Sequence, residues 1–105
     1  MRKLSLSRKH FRKQIMASTP YGVEVLPTAI KEMKRFPHAV IVRIREHLVD
    51  LGRDPFPRGS EKLHGYDRHY RIRVGDYRIV YTVDTVIRIV RVVKIADRKN
   101  AYKKF

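Results

Sequence analysis

The sequence predicts an α+β domain: a two-helix hairpin packed on one face of a four-stranded, mostly antiparallel sheet. Three observations carry this expectation. Tyr70–Tyr81 reads YRIRVGDYRIVY, two alternating strands around Gly75-Asp76. His38–Leu51 carries an apolar stripe at helical spacing, preceded by a shorter apolar repeat that stops at Pro37. Tyr21–Leu26 and Val86–Ile95, rich in valine and isoleucine, supply the outer strands. Each element offers one apolar face, and only packing helices on sheet buries all of them.

In chain order, residues 1–20 stand apart. Arg2, Lys3, Arg8, Lys9, Arg12 and Lys13 add positive charge with no acidic residue among them. Leu4, Leu6, Phe11 and Ile15 form no continuous stripe. The stretch reads as a flexible basic extension, or as a weak helix that adds non-specific nucleic-acid affinity. The folded domain is expected over residues 21–105.

Tyr21–Leu26 alternates in the manner of a half-buried strand. Pro27 suits the first turn of a helix. Ile30, Met33 and Phe36 form the apolar side of that helix, and Pro37 ends it. In the next helix Val40, Ile41, Ile44, Leu48 and Leu51 recur with a period near 3.6. Gly52 stands where a C′ glycine would close it, and His47 falls beside the stripe as a boundary residue. Arg53–Ser60, with Asp54, Pro55, Pro57 and Gly59, reads as a loop.

The hairpin fixes its own register. Gly75 at the first central position of a two-residue turn suits type II′. Counting outward pairs Val74 with Tyr77, Arg73 with Arg78, Ile72 with Ile79, Arg71 with Val80 and Tyr70 with Tyr81. Alternation puts Tyr70, Ile72, Val74, Tyr77, Ile79 and Tyr81 on a core face, and Arg71, Arg73 and Arg78 on the other. Like charges across a strand pair repel, so a sheet selected for stability alone would mix signs there. Two readings stand: a binding face for a polyanion, or a solvated face whose arginines lie over apolar neighbours. Thr82–Asp84 is expected to turn the chain into Val86–Ile95. With a two-residue turn at Asp84-Thr85, Arg91 would lie beside Arg78. The helices would leave this arginine face free.

The 105 residues suit one domain, and the net charge of +15 favours polyanions. No cysteine is present, which excludes disulfides and thiolate metal sites. No apolar run approaches membrane-spanning length, and the basic N-terminus lacks a signal-peptide core. A cytoplasmic location without membrane contact is expected. The ten acidic residues show no pair spaced for Mg²⁺, and the five histidines show no HxxxH or HExxH arrangement. No metal or cofactor is therefore expected. Metal-free RNA cleavage stays open. Arginines can stabilise the charge developing on phosphate, but they cannot serve as the base, because they stay protonated. Tyr102 could stack on a base or take part in proton transfer. His64 and His69 flank the hairpin entry.

Lys62-Leu63-His64-Gly65, then Tyr70–Tyr81, then Arg98 and Tyr102 resemble the RelE/ParE toxin superfamily of type II toxin–antitoxin systems. The resemblance spans about Tyr21–Tyr102 and implies the same strand-helix-helix-sheet order. It implies a ribosome-dependent, metal-free endoribonuclease that cuts mRNA by 2′-hydroxyl attack. By position, Arg71 and Arg73 match a basic pair on the first hairpin strand, and Arg78 the transition-state arginine. Arg98 matches a late-strand arginine, and Tyr102 a C-terminal tyrosine that orients substrate. The resemblance also implies an acidic antitoxin as partner, mRNA on the ribosome as substrate, and operator DNA bound only through the antitoxin complex. This chain has arginines where some members carry lysines at positions 71 and 73. Asp97-Arg98-Lys99-Asn100 lacks a histidine often found there. The ParE branch, which inhibits DNA gyrase, is the alternative, and a decayed basic RNA-binding module is a third.

Overall fold

The computed structural model describes residues 20–98. The elements are β1 Gly22–Val25, α1 Pro27–Met33, α2 His38–Arg53, β2 Glu61–Lys62, β3 His69–Val74, β4 Tyr77–Asp84 and β5 Ile89–Asp97. The expected order holds, with two helices on a sheet that is antiparallel except at one pair. The sheet has five strands, in the order β1-β5-β4-β3-β2. The added strand, β2, is two residues long, too short for any periodicity to show in the sequence. β1 pairs with β5 in parallel and all other pairs are antiparallel.

The core lies between the helices and one face of the sheet. Ile44, Leu48 and Leu51 of α2 meet Val23 and Val25 of β1, Ile72 and Val74 of β3, Ile79, Tyr81 and Val83 of β4, and Val90, Val92 and Ile95 of β5. Each such aliphatic side chain contributes about 1.5–3 kcal/mol on burial. β5 extends past the end of β1, and Glu32 of α1 covers the exposed edge. Its Oε1 accepts the Ile95 N–H at 3.2 Å, and its Oε2 lies 3.5 Å from Lys94 Nζ.

All five predicted hairpin pairs are present. Gly75 has φ +60° while Asp76 is not left-handed, which agrees with type II′ over type I′. Two expectations fail nearby. Gly52 is not a C′ residue: α2 runs through Arg53, with Gly52 buried in its last turn, where its carbonyl accepts the Tyr21 N–H at 3.0 Å. The second hairpin is also longer than expected, since β4 continues to Asp84 and the turn occupies residues 85–88. Val86 and Ile87 are exposed at its tip, not in a strand.

The reason is side-chain chemistry at Asp84. Its Oδ1 accepts the N–H groups of Val86 at 2.9 Å and Ile87 at 3.1 Å, and Arg88 takes a left-handed φ of 58°. These two bonds hold the Asp84 carboxyl below the ordinary carboxylate range, with Arg68 and Arg91 adding smaller attraction. A depressed folded pKa stabilises above the unfolded value and is lost as pH falls through the folded one. An acid titration followed by the Val86 and Ile87 amide signals should give a midpoint below about 3.9, the free Asp value. A midpoint at or above that value would remove this account of the turn.

Candidate functional site

The sheet face opposite the helices carries the alternate side chains of the hairpin. Arg71 and Arg73 sit on β3, and Arg78 on β4 directly across from Arg73. Together with Gly59, Glu61 and Ile72 they line a cavity of about 230 Å³. The structure thus gathers three of the five sequence-predicted site residues.

The three guanidinium groups differ in setting. Arg78 is 7% exposed, the one buried charged residue among the described residues. Its place on a central strand between β3 and β5 accounts for this, and its Nη1 donates to the Tyr77 carbonyl at 3.3 Å. The expectation of a wholly free arginine face therefore fails at Arg78, and Val80 beside it is buried too. Arg71 is half-buried and forks onto one oxygen of Glu61, with Nη2 at 2.8 Å and Nε at 2.9 Å. Arg73 is exposed and makes no ion pair among the described residues. A buried cation, a neutralised one and an open one thus share one cavity wall.

Glu61 escaped the sequence reading. It reaches Arg71 because β2 pairs Glu61 with Arg71 across the sheet edge, a pairing that two residues of strand do not announce.

The loop before β2 is tied to the core. Tyr81, fully buried on β4, donates its hydroxyl to the Pro55 carbonyl at 2.8 Å. Burial pushes its phenol far above the ordinary range, partly offset by a hydrogen bond from Ser60. Phe56 packs edge-on against Tyr70 with ring centroids 5.1 Å apart. These contacts set the stretch that brings Gly59 and Glu61 to the arginines.

The remaining predicted residues lie elsewhere. Arg98 is exposed in the turn just after β5, one position beyond the Tyr77–Asp97 pair and so level with the hairpin turn. Tyr102 lies outside the described residues, as does the basic stretch before residue 20 apart from Pro20 itself. Arg91 does not lie beside Arg78: it pairs with Thr82, while Arg78 pairs with Ala96. The longer β4 shifts the register, and Arg91 bonds Glu24 on β1 at 2.8 Å. His69 shares the arginine row of β3, its Nδ1 2.7 Å from the Asp67 carbonyl. His64 sits in the β2–β3 loop, outside the arginine cavity. Among the described residues, no three His, Cys, Asp or Glu groups are placed to hold a metal ion. No described helix is long and apolar enough to cross a membrane.

A sheet of this order under two helices, with arginines across one hairpin, is the architecture of the RelE/ParE toxin superfamily. Residues 23–102 match the family of ParE toxins of type II toxin–antitoxin systems (parDE), and the chain belongs to that family. It is 31% identical over 86 residues to the RelE1 toxin of Methanocaldococcus jannaschii, covering 79% of this chain and 96% of that protein. To the toxin RelE of Mycobacterium tuberculosis it is 28% identical over 85 residues, covering 80% and 88%. The crystal structure of the archaeal RelE–RelB complex from Pyrococcus horikoshii superposes with a TM-score of 0.69 at 30% identity, covering 78% of this chain and 99% of that one. The protein is thus a RelE-like toxin of a type II toxin–antitoxin system.

Proposed function

We propose that this toxin is a ribosome-dependent, metal-free endoribonuclease that halts translation by cutting mRNA in the cytoplasm. The observation that carries the reading is the cavity shared by Arg71, Arg73 and Arg78. In 2′-hydroxyl attack on the adjacent phosphate, negative charge builds on the non-bridging oxygens. Preorganised cations lower that barrier, and a partly enclosed site strengthens them. Arg78, held by its strand, is the fixed donor at the phosphate. Arg73 receives the incoming anion, and Arg71 exchanges Glu61 for substrate. Arg98 and Tyr102 complete the site by family position, the tyrosine by stacking or orienting a base. Arginine takes no proton at neutral pH, so the base is a separate group.

Control comes from a cognate antitoxin, as RelB accompanies RelE in the Pyrococcus horikoshii complex. An acidic antitoxin, partly disordered when free, complements a chain of net charge +15. Operator DNA is engaged through that complex.

The match to the ParE family favours a second reading, inhibition of DNA gyrase by binding. Induction of the toxin in growing cells, with mapping of mRNA 5′ ends, separates the two. Growth arrest with new cuts at in-frame codon positions is the expected result. Arrest with intact mRNA and induced DNA damage signalling would replace the nuclease reading with the gyrase one.

A further inference from the structure

The arginine cavity has an acidic residue in its wall. Of the six described residues that line it, three are arginines and Glu61 is the one carboxylate. Phosphate affinity alone gives no reason for an anion there, since a carboxylate repels the phosphate that the arginines attract. We propose, on the ribosome-dependent reading of this toxin, that Glu61 is a specificity-determining residue. Its carboxylate stands in for phosphate on Arg71, so loose RNA binds poorly and substrate presented at high local concentration displaces it.

The backbone under Glu61 is fixed on both sides. Glu61 pairs with Arg71 and Lys62 with Tyr70, and the Leu63 N–H donates to the His69 carbonyl at 2.8 Å. Before β2, the Ser60 N–H donates to the Pro57 carbonyl at 3.0 Å. The Glu61 side chain, in contrast, is 63% exposed. The carboxylate can leave Arg71 by a change of rotamer, which exposed side chains make in picoseconds to nanoseconds, while β2 stays in place.

The geometry of the contact favours exchange. Arg71 Nη2 at 2.8 Å and Nε at 2.9 Å both meet the same oxygen, Oε1. The strong form of an arginine–anion pair sets two nitrogens against two oxygens. A phosphate can offer that second oxygen to the same edge of Arg71. Glu61 thus holds Arg71 in a weaker arrangement than the ligand that replaces it.

An internal competitor lowers the affinity of every anion that needs Arg71 by one factor. The consequence depends on how the anion arrives. RNA free in solution, below its dissociation constant, loses occupancy by that whole factor. RNA held beside the toxin on a common scaffold meets it at an effective concentration that reaches millimolar, and a site near saturation loses little. Glu61 therefore widens the gap between loose RNA and RNA held on the ribosome. Specificity of this kind comes from disfavouring the wrong ligand.

The test is binding of inorganic phosphate and of a short oligouridylate to the purified toxin without ribosomes, followed by the side-chain Nε–H signals of Arg71 and Arg73. Glu61→Gln should tighten both ligands about fivefold, equivalent to the 1 kcal/mol at the upper end for exposed ion pairs. Glu61→Ala should tighten them at least as much. Arg71→Ala leaves the carboxylate facing the phosphate without its partner. Arg71→Ala combined with Glu61→Gln should therefore bind phosphate more tightly than Arg71→Ala alone. Equal or weaker binding by both Glu61 variants would overturn the competitor, and the ion pair would then serve only to anchor β2. Phosphate bound by neither parent nor variants at millimolar concentration would overturn it together with the phosphate-binding reading. A toxin that leaves mRNA intact yet gains phosphate affinity in Glu61→Gln would keep the competitor and lose the nuclease reading alone.

Discussion

Arg78→Ala will abolish growth arrest and reduce mRNA cleavage by about 10²–10³-fold, the loss typical of removing one fixed donor from a developing anion. The size follows from position. Arg78 is 7% exposed on a central strand, and its guanidinium is held at the Tyr77 carbonyl. A cation already oriented stabilises charge without reorganising at the moment of reaction. Arg73 is exposed, so Arg73→Ala should cost less and act mainly on substrate binding. Arg78→Lys keeps the charge but not the planar fork, and should recover only part of the loss. Primer extension on a reporter transcript in cells carrying each variant measures the order. Cleavage by Arg78→Ala within twofold of the parent would take Arg78 out of the site. Because the side chain is buried, the lysine variant and a thermal melt separate lost chemistry from lost fold.

Tyr81→Ala is expected to cost about 4 kcal/mol, within the range for large aromatic truncations in a core. Domains of this size have total stabilities of roughly 5–15 kcal/mol, so the variant should be close to unfolding at growth temperature. Tyr81→Phe isolates the hydroxyl. It leaves the Pro55 carbonyl without its 2.8 Å donor and should cost about 1–3 kcal/mol, the penalty for a buried acceptor left unmet. Urea unfolding of both variants gives the two figures. Tyr81→Phe should also speed amide exchange over residues 55–61, since that hydroxyl ties the loop to the sheet. Equal urea midpoints for Tyr81→Phe and the parent would show the bond to be neutral.

The first hairpin was legible because its turn leaves no freedom. A glycine at the first central position sets the turn type, and two residues of turn set every pair from Val74–Tyr77 outward. The α2 helix was legible from its stripe, since Ile44, Leu48 and Leu51 of that stripe are buried. The second hairpin misled because Val86 and Ile87 have strand-forming side chains. What overrides them is one carboxylate oxygen accepting two N–H groups, and a left-handed Arg88. Alternation put Arg71, Arg73 and Arg78 on one face, but a period of two says nothing about depth. The contrast between buried Arg78 and exposed Arg73 arises from strand order. A cavity between α2, the loop after it and β3 was invisible for a related reason. Asp50, Arg58 and Arg73 line it together only once the chain has folded.

The parallel pair between β1 and β5 bears on when the toxin can become active. Glu24 and Arg91, bonded across that pair, are 67 positions apart in the chain, and β5 is the strand that joins β1 to the rest of the sheet. During synthesis the β3–β4 hairpin and the α2 helix can form from local contacts, but the sheet closes only after β5 leaves the ribosome. Contacts so distant in sequence slow folding, because loop closure must precede any gain from them. A chain cut short before Ile89 has no partner for β1 and no second neighbour for β4. The folded sheet that positions the arginines therefore waits on the strand made last, although the arginines themselves are made before it.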